Sequence, residues 1–277
     1  MSLSTTINKG EKKDVDITKE LPTVLSLCTG LGGIERGLEL AGVKHRVIAH
    51  VEIEAYAIAN LANKMEAGKL LPAPIWSNLK TLPIQPFRDR VDILTSGYPC
   101  QPFSAAGKKQ GEEDPRHLWP HIKEIIRAVR PSRCFFENVE GHISLGLREV
   151  IEDLEGLGYR TAWGIFSAHE VGAPHQRKRV FILADSDSVR CDRWQLSDRV
   201  SERTLEIEAQ QRPRKSLVRS QVEGCGRDFG KSHWSVEPRI CRVVDGVRNR
   251  IDRIRLCGNS VVPQTAAKAW LTLGEQI

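Results

Sequence analysis

The chain reads as an α/β domain built on a mostly parallel sheet. Two observations carry that reading. From Thr23 to about Asp185, short apolar runs of strand length alternate with amphipathic runs of helix length, the pattern of repeated βα units. Glycine-rich or acidic turns follow the first strands directly, at Gly30 to Gly33 and at Glu52, where open α/β sheets place their ligands. A length of 277 residues suits one large domain, or one domain with a small insert.

The elements follow in order. Val24 to Leu27 is a buried strand, Gly30 to Gly33 its turn, and Ile34 to Ala41 the start of a helix. Val47 to Val51 is a second strand ending at Glu52, and Ala55 to Glu66 has helical character. Val91 to Thr95 is the strand before a cysteine-bearing loop. His117 to Val129 is an amphipathic helix with Leu118, Ile122, Ile125 and Ile126 on one face. Cys134 to Phe136 is the strand before Glu137, and Leu147 to Leu157 is a helix closed by Gly158. Tyr159 to Phe166 and Arg179 to Ala184 are two further strands. Apolar periodicity then lapses until Val261 to Leu273, a final element expected to pack back on the domain.

The lapse, residues 186–255, holds 14 Arg and 2 Lys against 11 acidic residues, most of the chain's net charge of +6. Arginine bonds guanine edges and phosphates bidentately, so the stretch suits a polyanionic partner. A disordered polar insert is the alternative, against which Trp194, Trp234 and Val243-Val244 argue. Residues 1–20 are polar and expected to be a flexible tail.

Composition narrows the classes. With 40% hydrophobic and 27% charged residues the chain is expected to be soluble. No apolar run approaches the roughly 20 residues of a membrane span, and the first residues lack an apolar signal core, which points to a cytoplasmic protein. Seven cysteines, with no Cys-x-x-Cys pair, argue against a disulfide framework and a structural zinc site. No metal is expected.

One cysteine stands out. Gly97-Tyr98-Pro99-Cys100-Gln101-Pro102-Phe103-Ser104 puts Cys100 on a proline-restricted loop directly after a strand, a position suited to nucleophilic attack. Taken alone, Cys100 could equally be an ordinary half-buried thiol. It does not stand alone. Thr29-Gly30-Leu31-Gly32-Gly33, Glu52, Glu137-Asn138-Val139, Gln176-Arg177-Lys178-Arg179-Val180-Phe181-Ile182 and Gly258-Asn259-Ser260-Val261-Val262-Pro263 lie in order around it. In that order and spacing the chain, from about Thr23 to Trp270, resembles the DNA (cytosine-5)-methyltransferases, with a phage-type or orphan bacterial look.

The resemblance implies a Rossmann-like S-adenosylmethionine-dependent methyltransferase domain, formed by residues 21–185 and 256–277, and a small target-recognition region, 186–255, reading bases mostly from the major groove. It implies transfer of a methyl group from S-adenosyl-L-methionine to C5 of a flipped cytosine in a specific duplex DNA sequence, leaving S-adenosyl-L-homocysteine. Cys100 is then the nucleophile that adds to C6, Glu137 the residue holding N3 and N4 of the base, and Arg177 and Arg179 cations near the thiol and the base. The donor pocket would be formed by Cys28, Thr29, Gly30, Gly32 and Gly33, with Glu52 on the ribose hydroxyls. Asn78, Pro99, Asn259 and Ser260 would complete it. Gln101, Ser104, Lys108, Lys109 and His175 would face DNA.

Three residues depart from the family's habit. Cys28 stands where an aromatic is common, Asn78 where an aspartate is usual, and His175 where glutamine is usual. The expected partner is double-stranded DNA and the expected state a monomer. The competing readings are an RNA cytosine-5 methyltransferase and a catalytically silent DNA-binding homologue. A nicotinamide dehydrogenase would rest on the glycine turn alone and leave the Pro-Cys-Gln-Pro turn unexplained.

Overall fold

The computed structural model describes residues 21–99, 118–186 and 256–277. Cys100, Gln101, Ser104, Lys108 and Lys109 lie outside the described residues, as do the tail and nearly all of the region expected to recognise the target.

The described chain runs β1 (Thr23–Leu27), α1 (Gly33–Leu40), β2 (Arg46–Val51), α2 (Ala55–Glu66), β3 (Ile75–Trp76), β4 (Ile93–Ser96), α3 (Trp119–Val129), β5 (Arg133–Val139), α4 (His142–Leu145), α5 (Leu147–Gly156), β6 (Tyr159–Phe166), β7 (Arg179–Ser186) and α6 (Pro263–Gly274). The strands form one sheet of seven in the order β3-β2-β1-β4-β5-β7-β6. Pairing is parallel from β3 to β5, whereas β7 runs antiparallel to both β5 and β6. The mixed edge was not legible beforehand. A short connection from β6 to β7 reads in sequence as another strand, without its direction.

Every central strand is apolar on both faces, as a sheet covered on both sides requires. Leu25, Leu27, Leu94, Phe136 and Ile182 join one core with α3 and α5 residues such as Ile122, Ile126 and Leu154. Val24, Ile93, Phe135, Phe181 and Leu183 join the other, with Leu38 of α1 and Ala266, Trp270 and Leu273 of α6. Thus α1 and α6 cover one face while α3 and α5 cover the other. The final helix does return to the domain. Its contact with α1 is so close that a Cβ on Gly37 would lie 2.6 Å from Ala266 Cβ and 2.9 Å from the Pro263 carbonyl oxygen. Only glycine fits there.

The strand order reverses between β1 and β4. Chains leaving the carboxyl ends of those two strands diverge to opposite sides, which opens a crevice at that point. Among the described residues no helix is long and apolar enough to cross a membrane.

Candidate active site

The crevice is real. A cleft opens over the ends of β1 and β4, lined by Cys28, Gly30, Gly97, Asn259 and Ser260 among others. The loop after β1 shapes its floor. Cys28, Gly30 and Gly32 adopt left-handed backbone angles, with φ of 50°, 56° and 76°. Thr29 is tied inward, its hydroxyl 2.8 Å from that of Ser26.

The glycines divide their work. A Cβ on Gly30 would meet nothing within 4 Å, so its bare backbone faces open space. On Gly33 a Cβ would fall 2.7 Å from the Val261 carbonyl oxygen. Sequence reading assigned both to ligand approach. Gly33 lines the cleft as well, and its missing side chain also admits the C-terminal segment.

Glu52, at the end of β2, is 7% exposed. Its Oε2 accepts from the Gly30 amide at 2.6 Å and its Oε1 from the Glu54 amide at 2.8 Å. Each oxygen keeps a second acceptor position, so the carboxylate both ties the loop to β2 and can take hydroxyl groups. Asn78 is committed locally: its Oδ1 accepts from the Lys80 amide at 3.0 Å, starting a short 3-10 turn. Ile53, directly after Glu52, is 71% exposed. An isolated exposed isoleucine carries no periodic signal.

Burial settles the role of Cys28. Desolvation and the charge of Glu52 push its thiol up to about 12, so it is an un-ionised wall of the cleft and not a nucleophile. Cys134 is buried in β5 and its thiol is raised further still.

On the other side of the cleft, β5 continues through Glu137 and Asn138, two residues the sequence placed beyond the strand. Val139 pairs with Arg179 across the antiparallel β5–β7 ladder. Arg179 and Glu137 therefore project from the same face of neighbouring strands, and Arg179 Nε meets Glu137 Oε1 at 2.9 Å. Glu137 is 7% exposed. Burial raises its carboxyl to about 7, with Arg179 and then Arg177 holding it lower than burial alone would. Gly97 is packed at its side, where a Cβ would stand 3.6 Å from Glu137 Oε2.

The stem of the cysteine loop is clamped to this group. Asn138 Nδ2 donates to the Tyr98 carbonyl at 3.2 Å, and the Tyr98 hydroxyl lies 3.0 Å from His142 Nε2. The fully buried His142 has its pKa pushed down to about 4 by desolvation, so it is neutral at ordinary pH. Pro99, just before Cys100, is exposed. His175 is half-buried between Pro174 and Gln176 on the turn before β7.

A second carboxylate was overlooked. Glu35, in the first turn of α1, is 6% exposed and lines the cleft. Its Oε1 accepts from the Thr95 hydroxyl at 2.6 Å, and its Oε2 has no hydrogen-bond partner among the described residues. Its sequence signal was its place inside the stripe Ile34, Leu38, Ala41, where a core residue is expected.

A glycine loop, an acid at the end of the next strand and an acid–arginine pair thus gather near the switch point of an α/β sheet. The family described as C-5 cytosine-specific DNA methylase matches residues 22–234, and the chain belongs to that family. Curated relatives include type II methyltransferase M.NaeI of Lentzea aerocolonigenes, 32% identical over 166 residues, or 58% of this chain and 39% of the relative. Type II methyltransferase M.NgoBV of Neisseria gonorrhoeae is 34% identical over 180 residues, covering 59% and 41%. The chain thus spans about half the length, or less, of the curated relatives it matches. Among solved structures, the S. pombe Dnmt2 methyltransferase superposes with a TM-score of 0.51 at 26% identity, covering 60% of this chain and 51% of that one. A Dnmt2 mutant of Spodoptera frugiperda has the same TM-score at 24% identity, covering 61% and 51%. These likenesses support the Rossmann-like methyltransferase fold.

Proposed function

We propose that the protein transfers a methyl group from S-adenosyl-L-methionine to C5 of a flipped cytosine in duplex DNA. The observation that carries this reading is the Glu137–Arg179 pair, buried beside Gly97 at the root of the Pro99-Cys100 loop.

The residues present fit the donor. The un-shielded backbone at Gly30 admits a ligand, and Glu52 retains acceptor capacity for two ribose hydroxyls. Exposed Ile53, next to Glu52, would offer the donor's base an apolar surface, and Asn78 would offer it a side-chain amide. Thr29, Gly32 and Gly33 shape the loop, while Asn259 and Ser260 close the opposite wall. When bound, the donor supplies an electrophilic methyl on sulfur. Its product is S-adenosyl-L-homocysteine.

The protein's own residues then activate the base. C5 of cytosine is a poor nucleophile until a thiolate adds to C6. Cys100 forms that bond. Electron density shifts through the ring toward N3, where Glu137 shares its proton. A carboxyl at about 7 is set for this near neutral pH. Arg179 fixes its orientation and, with Arg177, keeps it from being locked in the acid form. After methylation a water molecule takes the C5 proton, the C6–sulfur bond breaks with its electron pair going to Cys100 as thiolate, and Glu137 takes back the N3 proton, which restores the aromatic ring. Asn138 and the Tyr98–His142 contact hold the loop stem in place throughout.

Residues 21–185 and 256–277 are read as the catalytic domain and 186–255 as the recognition region. Gln101, Ser104, Lys108, Lys109 and His175 are read as contacts to a monomer-bound duplex. The relatives' names suit a restriction–modification setting. The test is to supply methyl-labelled S-adenosylmethionine with duplex DNA or RNA and identify the labelled nucleoside. Label in 5-methylcytosine from DNA is the expected result. Label only from RNA, or in an exocyclic amine, would replace the reading.

A further inference from the structure

Arg177 and Arg179 lie two residues apart, yet they serve different partners. Arg179 goes to Glu137. Arg177 lies near enough to Glu137 to hold its carboxyl down, but makes its hydrogen bonds elsewhere: its Nη2 donates to the Gly258 carbonyl at 2.8 Å and to the Ser260 carbonyl at 2.5 Å. Those carbonyls flank Asn259. Arg177 holds a left-handed backbone angle, φ 33°, to do so, a conformation that persists in a non-glycine residue only where its surroundings impose it.

The segment it grips is one wall of the cleft. Asn259, Ser260 and Val261 line it opposite Gly97 and Cys28. Among the described residues, the wall is fixed from one side by Gly33 against Val261. From the other it is fixed by the Arg177 guanidinium. With Glu52 and Asn78 toward the β2 and β3 side taking the nucleoside, the stretch between Gly97 and Ser260 is left for the amino-acid end of the donor. This step rests on the donor reading above.

We infer that Arg177 is a positioning residue of the donor pocket: it staples the Gly258–Ser260 wall in place for the amino-acid end of S-adenosylmethionine. A lysine cannot replace it, because its ammonium ends one bond short of the position of Nη2.

The test compares two ligands on the full chain without DNA. S-adenosylhomocysteine carries the amino-acid end, and 5′-methylthioadenosine keeps the nucleoside and lacks that end. Binding is read by calorimetry and, for weak binding, by ligand-observed NMR. In Arg177→Lys and Arg177→Met, affinity for S-adenosylhomocysteine falls at least tenfold while that for 5′-methylthioadenosine changes less than twofold. General loosening of the fold would weaken both ligands alike, and that result, or unchanged S-adenosylhomocysteine binding, would overturn the inference. A native protein that binds neither ligand would instead overturn the donor reading itself.

Discussion

Glu52, just after β2, and Glu137, in β5, are buried to the same 7% exposure. They are nevertheless built for different tasks. Glu52 accepts from two backbone amides, one on each oxygen. These are fixed dipoles that hold its two oxygens in place. Glu137 has the Arg179 guanidinium on one oxygen and Arg177 nearby, and burial raises its carboxyl to about 7. Burial raises the Glu137 carboxyl and its arginines hold it lower, whereas two backbone amides tie Glu52 down.

Exchanging each carboxyl for its amide separates the two roles. Glu137→Gln should lower the single-turnover methylation rate about 10²- to 10⁴-fold, the range for loss of a positioned acid, while calorimetric affinity for S-adenosylhomocysteine stays within threefold. Glu52→Gln should do the reverse. It weakens S-adenosylhomocysteine by about tenfold or more, the loss of a charged hydrogen bond, with a smaller effect on the rate at saturating donor. If both variants lost affinity equally, the division of labour would be wrong.

Stability against pH reads the same contrast without substrate. The folded carboxyl of Glu137 titrates near 7, above its ordinary 4.5. The native state therefore binds more protons than the unfolded chain between those values, and stability falls as pH rises through that window. Its share is up to about 3 kcal/mol. His142 acts in the opposite sense: its folded value near 4 lies below 6.5, so its contribution is lost as pH falls. In urea titrations from pH 5 to 7, Glu137→Gln should make the stability curve rise more steeply with pH than in the native protein. His142→Asn should flatten it.

The glycines give a sharper, smaller test. Gly37→Ala forces α1 and α6 apart and should cost about 1–3 kcal/mol in melting experiments, the usual price of overpacking. Gly30→Ala meets no atom within 4 Å and should cost only about 1–2 kcal/mol for its left-handed angle. It should still impair donor binding, because the added methyl stands where the backbone is open. Gly30→Ala with native affinity would remove Gly30 from the pocket.

The donor side was the legible side. Strand, glycine turn, helix, strand and acid are sequence-local, and Gly30 and Glu52 sit where spacing put them. The base side depends on a long-range pairing. Glu137 and Arg179 are joined because β7 inserts antiparallel beside β5, and no local pattern announces that direction. Resemblance to the family supplied those residues, while their geometry came from the sheet. The close packing of Gly33 against Val261 was not legible, because a close approach by backbone and one by a ligand look the same in sequence. Glu35 went unnoticed because its polar side chain breaks a stripe that is otherwise apolar.

The most direct measurement is a trap for the cysteine adduct. Duplex DNA bearing 5-fluorocytosine at the methylated site cannot lose the C5 substituent after methyl transfer, so the enzyme stays bound through C6. With S-adenosylmethionine the native protein should give a denaturant-stable complex. Cys100→Ser should give none, and Glu137→Gln should form it far more slowly. An active native protein that forms no such complex, or a Cys100→Ser protein that does, would contradict the account.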